Sequence, residues 1–319
     1  MCYSAMVEAD LNRMARRLGG KPDLSALVDL FLRRLKDPKI RVPRALEANF
    51  DHPDTPQAQA IHAAIEQFRE AQETEWQSAL FSQRKRLADA ERSLAVKATK
   101  KAMSDRDIAT RKVAWYQDKL RTLHATEPHA ADSRIFPMWF APVIVMEAGE
   151  LVIQPMRYHL RPNGKPAAFD RQFDGTYNAR RDSLGKFWKP LFGRRHAVLV
   201  ATSFYENVAL HNFERRELRP DEKPSNVVLH FNPRQAEPML VACLWDRWQR
   251  PGEPDLLSFA AITDEPPEEV AATGHDRCII PLKPENLRQW LEPEKSSLAQ
   301  LQSLLDDRQR PYYEHRLAA

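Results

Sequence analysis

Val143-Ile144-Val145-Met146-Glu147-Ala148-Gly149-Glu150-Leu151-Val152-Ile153-Gln154-Pro155 consists of two apolar runs joined by a short polar, Gly-containing link. It reads as a β-hairpin over Val143–Met146 and Leu151–Pro155. Downstream the same texture recurs in Ala197–Thr202, Asn226–Phe231, Leu240–Trp245 and Leu256–Thr263, all strand candidates. They do not alternate regularly with helical patterns, so the spacing predicts a mainly antiparallel sheet rather than βαβ units. The tail from Pro284, with Leu287, Trp290, Leu291 and then Leu298–Leu305, reads as helical. Fold class is therefore α+β.

Upstream the pattern differs. Between Gln57 and Glu127 there is neither Gly nor Pro, although the chain holds 24 Pro. Apolar residues recur there at helical spacing: Ile61, Ile65, Phe68, then Leu80, Leu87, Leu94, then Ala109, Val113, Tyr116, Leu120, Leu123. Ser104 followed by Asp107 reads as a helix restart. The expectation is a long helical hairpin, or one long and one shorter helix, inserted at 57–127 within a single domain spanning 1–319. Ala5–Leu18 and Asp23–Lys36 read as two further amphipathic helices around Gly19-Gly20-Lys21-Pro22.

Charge is unevenly distributed. The chain of 319 residues carries net +4, yet Arg84–Arg121 alone holds 12 Lys and Arg against 5 Asp and Glu. Such a face is either solvated or follows a phosphate backbone, so the insertion is expected to meet DNA or a protein partner. No apolar run reaches membrane length, and no signal peptide is visible. Three cysteines without a C-x-x-C pair argue for a reducing compartment and against a disulfide framework or zinc cage. The cytoplasm, in association with the nucleoid, is the expected location. No metal, cofactor or membrane partner is expected.

Cys2 stands directly behind the start Met. Removal of Met1, expected before so small a side chain, would leave a 1,2-aminothiol. Its amine can condense with an aldehyde, and its thiol can then close a five-membered thiazolidine. The α-amine titrates near ~7.7–8.0 and the thiol near ~8.5, so modest tuning frees both at neutral pH. Three other segments hold polar groups suited to proton transfer: Tyr177–Ser183 with Asn178, Ser203–Asn207 with Glu206, and Thr273–Pro281 with His275. A strand-end cap, a core or surface histidine and a turn-forming Asn describe the same three residues taken singly.

Together the segments resemble the SOS response-associated peptidase family, whose members include sensors of abasic sites in single-stranded DNA. Cys2, Asn178-Ala179-Arg180, Phe204-Tyr205-Glu206 and His275-Asp276-Arg277 follow one another in the family's order. Lys189-Pro190-Leu191 and Pro284–Leu291 look like family context, and the resemblance covers Met1-Cys2 and Ile135 to about Leu291. It implies covalent capture of abasic sites through a Cys2 thiazolidine in the DNA-damage response. Asn178 would bind the amine or sugar, Glu206 would shuttle protons, and His275 would act at the sugar ring oxygen. Self-removal of Met1 is implied as well. Backbone contacts would come from Arg157, Arg161, Arg180, Arg181 and Arg194, with Trp139 and Tyr158 stacking on bases.

The chain departs from the family in several places. Tyr3 and Ser4 stand where Gly-Arg is usual, Met138–Pro142 replaces Tyr-Asn-x-Ala-Pro, and Met156–Pro162 replaces Trp-Gly-x-x-Pro. Asn207 follows Glu206 where a Trp is common. A cysteine-type peptidase using Cys2, His275 and Glu206, and a non-enzymatic nucleic-acid-binding adaptor, are the competing readings.

Overall fold

The computed structural model describes residues 2–126, 128–235 and 237–318, with Cys2 described through its backbone alone. The strands are β1 (Cys2–Val7), β2 (Lys21–Pro22), β3 (Arg134–Ile135), β4 (Phe140–Glu147), β5 (Glu150–Tyr158), β6 (Asn178–Arg180) and β7 (His196–Ala209). They continue as β8 (Asn226–Pro233), β9 (Met239–Trp248), β10 (Leu256–Asp264), β11 (Cys278–Ile279), β12 (Pro281–Leu282) and β13 (Tyr313–Leu317). Pairing is antiparallel except where β10 meets β5 and β6, and where β2 meets β5.

The sheet closes on itself. β7 pairs with β4, β4 with β5, β5 with β10, β10 with β9, and β9 returns to β7. This makes a five-stranded barrel, and closure removes the exposed edges that would otherwise template association. The hairpin expected at Val143–Pro155 is β4–β5, closed by the pair Glu147↔Glu150. Its two turn residues, Ala148 and Gly149, both have positive φ, 50° and 83°, as a turn matched to strand twist requires.

β7 is the pivot. Its first half, Ala197–Ala201, is apolar and buried because it runs through the barrel between β4 and β9. Trp290, from the helix Leu287–Leu291, covers it and donates Nε1–H to the Ala197 carbonyl at 3.0 Å. A register shift around Thr202 then turns the strand out of the barrel. The second half, Ser203–Ala209, becomes the centre of a second sheet in the order β3–β1–β7–β8–β13. Bulges of this kind let a strand change sheets. Glu206 was expected just past a strand, but it lies inside this one.

The helical hairpin is present as Pro56–Val96 and Lys100–His124. The chain restarts at Thr99, not Ser104: the Thr99 hydroxyl accepts the Ala102 N–H at 3.1 Å and caps the second helix. The basal part of the first helix is core, since Ala58, Ile61, Ala64 and Ile65 belong to the main hydrophobic cluster. Further out the two helices hold each other through buried Leu80, Ala90, Ala102 and Ala109 and an Arg86–Asp105 ion pair at 2.6 Å.

Two other expectations need correction. Ala5–Leu18 is not one helix, because Cys2–Val7 is a strand seated between β3 and β7 and the helix begins only at Leu11, capped by Asp10. The partners that decide this lie about 130 and 200 positions away. The tail is helical as expected but ends in the strand β13. Among the described residues, no helix is long and apolar enough to cross a membrane.

Candidate active site

The register of β1 on β7 pairs Cys2 with Glu206 and Ser4 with Tyr205, leaving Tyr3 as an extra residue in a bulge. The backbone that carries the N-terminal residue is therefore held directly against the strand that carries the buried acid. The Cys2 thiol and Met1 lie outside the described residues. The other two cysteines make poor nucleophiles: Cys243 and Cys278 are buried, which pushes the Cys243 thiol up to about 12 and the Cys278 thiol further.

Glu206 is 0% exposed. Its neighbours at i±2, Phe204 and Val208, are core residues, so strand alternation points the carboxyl inward. Burial raises its pKa from 4.5 to about 8, against a bond from the Tyr3 backbone N–H that favours the charged form. At neutral pH this acid mostly holds its proton.

His275 faces it, with Nε2 at 3.3 Å from Glu206 Oε2. Its Nδ1 lies 2.8 Å from the Arg277 carbonyl oxygen and 3.3 Å from the Arg277 backbone nitrogen, so the Arg277 backbone fixes the orientation of the ring. Burial lowers the imidazole from 6.5 to about 4. Acid and imidazole are therefore both mostly uncharged at neutral pH and stand in contact, with the acid holding the proton. Gly274 sets the approach of this loop: its φ is +87°, and a Cβ there would lie 2.7 Å from Asn212 Cβ.

Asn178 opens β6, which runs parallel to β10 in the register Ala261↔Asn178 and Thr263↔Arg180. On the other side Thr263 pairs with Ile279 of β11, the strand entered from the His275 loop. One strand end thus gathers the Asn178 and His275 segments. Asp182 ties them again, reaching Arg180 at 2.9 Å and Arg277 at 3.4 Å. Asn178 itself is buried, and neither Oδ1 nor Nδ2 has a hydrogen-bond partner among the described residues. A buried amide left so costs free energy unless something else satisfies it. Sequence reading missed Gly274 and Asp182; the positive-φ demand on a Gly just before the His was the available signal for the first.

The expected DNA contacts divide. Arg180 is half exposed at the rim, while Trp139 is half buried against Phe136 with ring centroids 5.6 Å apart. Arg194 is exposed as well, while Arg157, Arg161, Tyr158 and Arg181 turn inward and are corrected here as exposed contacts. Arg157 and Arg161 are buried on Asp170, at 2.8 Å from Arg157 Nη1 and 3.0 Å from Arg161 Nε. Tyr158 is 1% exposed and stacks on Phe259. Arg181 is committed to Asp264 at 3.0 Å and Asp306 at 2.7 Å. Asp170 takes Arg157 and Arg161 from 13 and 9 positions away, whereas Phe259, Asp264 and Asp306 reach Tyr158 and Arg181 from far along the chain.

The family model described as SOS response associated peptidase (SRAP) matches residues 92–317, a span that holds all three motifs and starts after β1. Abasic site processing protein YoqW of Bacillus subtilis strain 168 is 32% identical over 131 residues, 40% of this chain and 53% of that protein. Abasic site processing protein YobE of the same strain is also 32% identical over 131 residues, 40% of this chain and 54% of that protein. The chain spans about half the length of the curated relatives it matches. Among solved structures, a Bacteroides thetaiotaomicron protein superposes with TM-score 0.46 at 17% identity, covering 59% of this chain and 78% of its own. A Bordetella bronchiseptica protein gives 0.45 at 16% identity, covering 64% and 95%.

Proposed function

Because the chain belongs to the SOS response-associated peptidase family, we propose that it processes abasic sites in single-stranded DNA by covalent capture on Cys2. The observation that carries this reading is the register Cys2↔Glu206 together with the 3.3 Å contact of Glu206 with His275. The two relatives named as abasic site processing proteins support the choice of substrate.

The chemistry follows from the groups present. Once Met1 is gone, the Cys2 amine adds to C1′ of the ring-opened sugar. Glu206, protonated at neutral pH, gives its proton to the departing hydroxyl, water leaves, and the nitrogen returns a proton to the Glu206 carboxylate as the imine forms. The Cys2 sulfur then adds to the imine carbon while the thiol proton passes to nitrogen, which closes the thiazolidine. His275, neutral at pH 7 and in contact with Glu206, accepts and returns a proton at the sugar ring oxygen during opening and reversal. Asn178 takes its missing partners from the amine or the sugar hydroxyls. Arg180, exposed at the rim, holds a neighbouring phosphate. Glu206 and His275 would also assist removal of Met1, the second reading that the family's peptidase description favours.

The test is incubation with a single-stranded oligonucleotide carrying one abasic site, read on a denaturing gel and by intact mass. The proposal requires an adduct that survives denaturation in the wild type and is absent in Cys2→Ser. Peptide turnover without an adduct would favour the peptidase instead.

A further inference from the structure

We propose that Arg134 is a phosphate-binding residue and that Tyr3 and Phe136 beside it form a base-stacking step for single-stranded nucleic acid, on the face of β1–β7 opposite Glu206. The choice of nucleic acid as ligand rests on the function proposed above; the surface itself rests on the following geometry.

Ser4 of β1 pairs with Tyr205 of β7, Tyr205 with His230 of β8, and His230 with Arg316 of β13. Directly paired residues share a face, and Tyr205 alternates with Glu206, so this row lies on the other side of the sheet from the buried acid. Arg134, on the edge strand β3, leans across the row. Its Nε and Nη2 both donate to Ser4 Oγ, at 3.0 and 2.9 Å. Its guanidinium carbon sits 3.5 Å from the Tyr205 ring centroid and 4.8 Å from that of Phe136. Tyr205 is in turn stacked on His230 at 4.1 Å and 4°. The guanidinium is thus fixed in plane, with Nη1 uncommitted among the described residues.

Charge makes the arrangement unusual. Arg34, Arg157, Arg161 and Arg181, the other inward-turned arginines discussed or paired in this fold, each meet a carboxylate. Arg134 is partly desolvated, which lowers its pKa, yet it makes no ion pair among the described residues, and neither does Arg316. Burial and the two guanidinium charges hold His230 down at about 4, so it does not add a third charge. A pre-oriented cation without its counter-ion is an anion site, since a phosphate supplies both charge and acceptors to the free edge.

The rings identify the rest of the ligand. Tyr3 is 37% exposed and meets Phe136 edge-on at 5.8 Å, and Phe136 continues to Trp139. An exposed ring, Tyr3, backed by the half-buried Phe136 and set beside an arginine, has the elements that hold an unpaired base and its backbone. Tyr3 follows Cys2 directly, and Ser4 lies about 7 Å along the strand from Cys2. A nucleic-acid strand held at Arg134 would pass around the N-terminal end of β1 to reach Cys2, which pairs with Glu206.

The test uses the full chain and a labelled, unmodified single-stranded 12-mer with no abasic site, followed by fluorescence anisotropy across salt. Arg134→Gln should weaken binding about tenfold and reduce the slope of log affinity against log salt by about 0.7. Arg134→Lys should keep the slope. Tyr3→Ala should weaken binding about tenfold at unchanged slope. Wild-type affinity and slope in Arg134→Gln overturn the proposal, as does a wild type that does not bind. If Arg134→Gln melts early, Tyr3→Ala carries the test, and unchanged affinity there overturns it. A wild type that binds through Arg134 but forms no adduct with abasic DNA contradicts the proposed reaction and leaves this surface standing. An adduct formed by Arg134→Gln with wild-type binding does the reverse.

Discussion

The clusters around Asp170 and around Glu206 are both buried and polar, and they are built on opposite principles. Around Asp170 two guanidiniums converge, Arg157 and Arg161, and they hold its carboxyl below the usual carboxylate range despite burial. Around Glu206 no guanidinium converges among the described residues: burial raises the acid to about 8, the facing imidazole falls to about 4, and Asn178 has no hydrogen-bond partner there. The first cluster is internally satisfied and consistent with holding the Arg157–Arg161 segment against β10. The second keeps a proton mobile and an amide unspent, which is the condition of a site awaiting a substrate. What sets the second cluster apart is its protonated acid and the Asn178 amide, which has no hydrogen-bond partner among the described residues.

The comparison can be broken by mutation, and the largest effect belongs to the reactive cluster. Glu206→Gln and His275→Ala should each slow adduct formation with abasic DNA by about 10²–10⁴-fold while thermal melting changes little. Single-turnover gels and melting curves on the same preparations check this. Arg157→Ala should do the opposite. It leaves Asp170 short of a partner and should cost about 3–5 kcal/mol in urea unfolding, with the adduct rate per folded molecule preserved. If Arg157→Ala keeps full stability and loses DNA capture, the correction made to its role fails.

A smaller effect concerns pH. Glu206 has a folded pKa above its unfolded value of 4.5, so the native state binds the extra proton and stability falls as pH rises toward about 8. His275, depressed from 6.5 to about 4, loses stability as pH falls through that window. The two slopes oppose each other between pH 4.5 and 6.5, and Glu206 stands clear of His275 from 6.5 to 8. There Glu206→Gln should remove a decline of at most about 1.4 kcal/mol per pH unit. Urea titrations at pH 6.5, 7.2 and 8 measure it; identical slopes in wild type and variant would mean the acid is not shifted. Smallest is Asn178→Leu, which should leave stability level or raise it by about 1 kcal/mol, since it removes an unsatisfied buried amide, while adduct formation falls.

Much of this was legible in the sequence. The β4–β5 hairpin, the helical hairpin and the strands from Ala197 onward follow from local periodicity and turn chemistry, and the three motifs named Asn178, Glu206 and His275. What was not legible depends on partners far along the chain. β1 is a strand because β7 and β3 receive it, although Ala5–Leu18 by itself has helical spacing. Arg181 looked like a free cation until Asp264 and Asp306 were brought to it. Arg134 carries no local signal at all, since the ring it lies on, Tyr205, is 71 positions away in sequence. The barrel closure by β7 and β9 is equally non-local.

The central claim is that the chain's own terminal amine, held opposite Glu206, does the capture. It is tested most directly by leaving an uncleavable extension ahead of Cys2, so that the α-amine becomes an amide while the thiol and every other residue remain. Incubated with abasic single-stranded DNA and read by intact mass after denaturation, this protein should show no adduct, whereas the chain with a free Cys2 amine should be converted. An extended protein that crosslinks as efficiently as the free one would contradict the account.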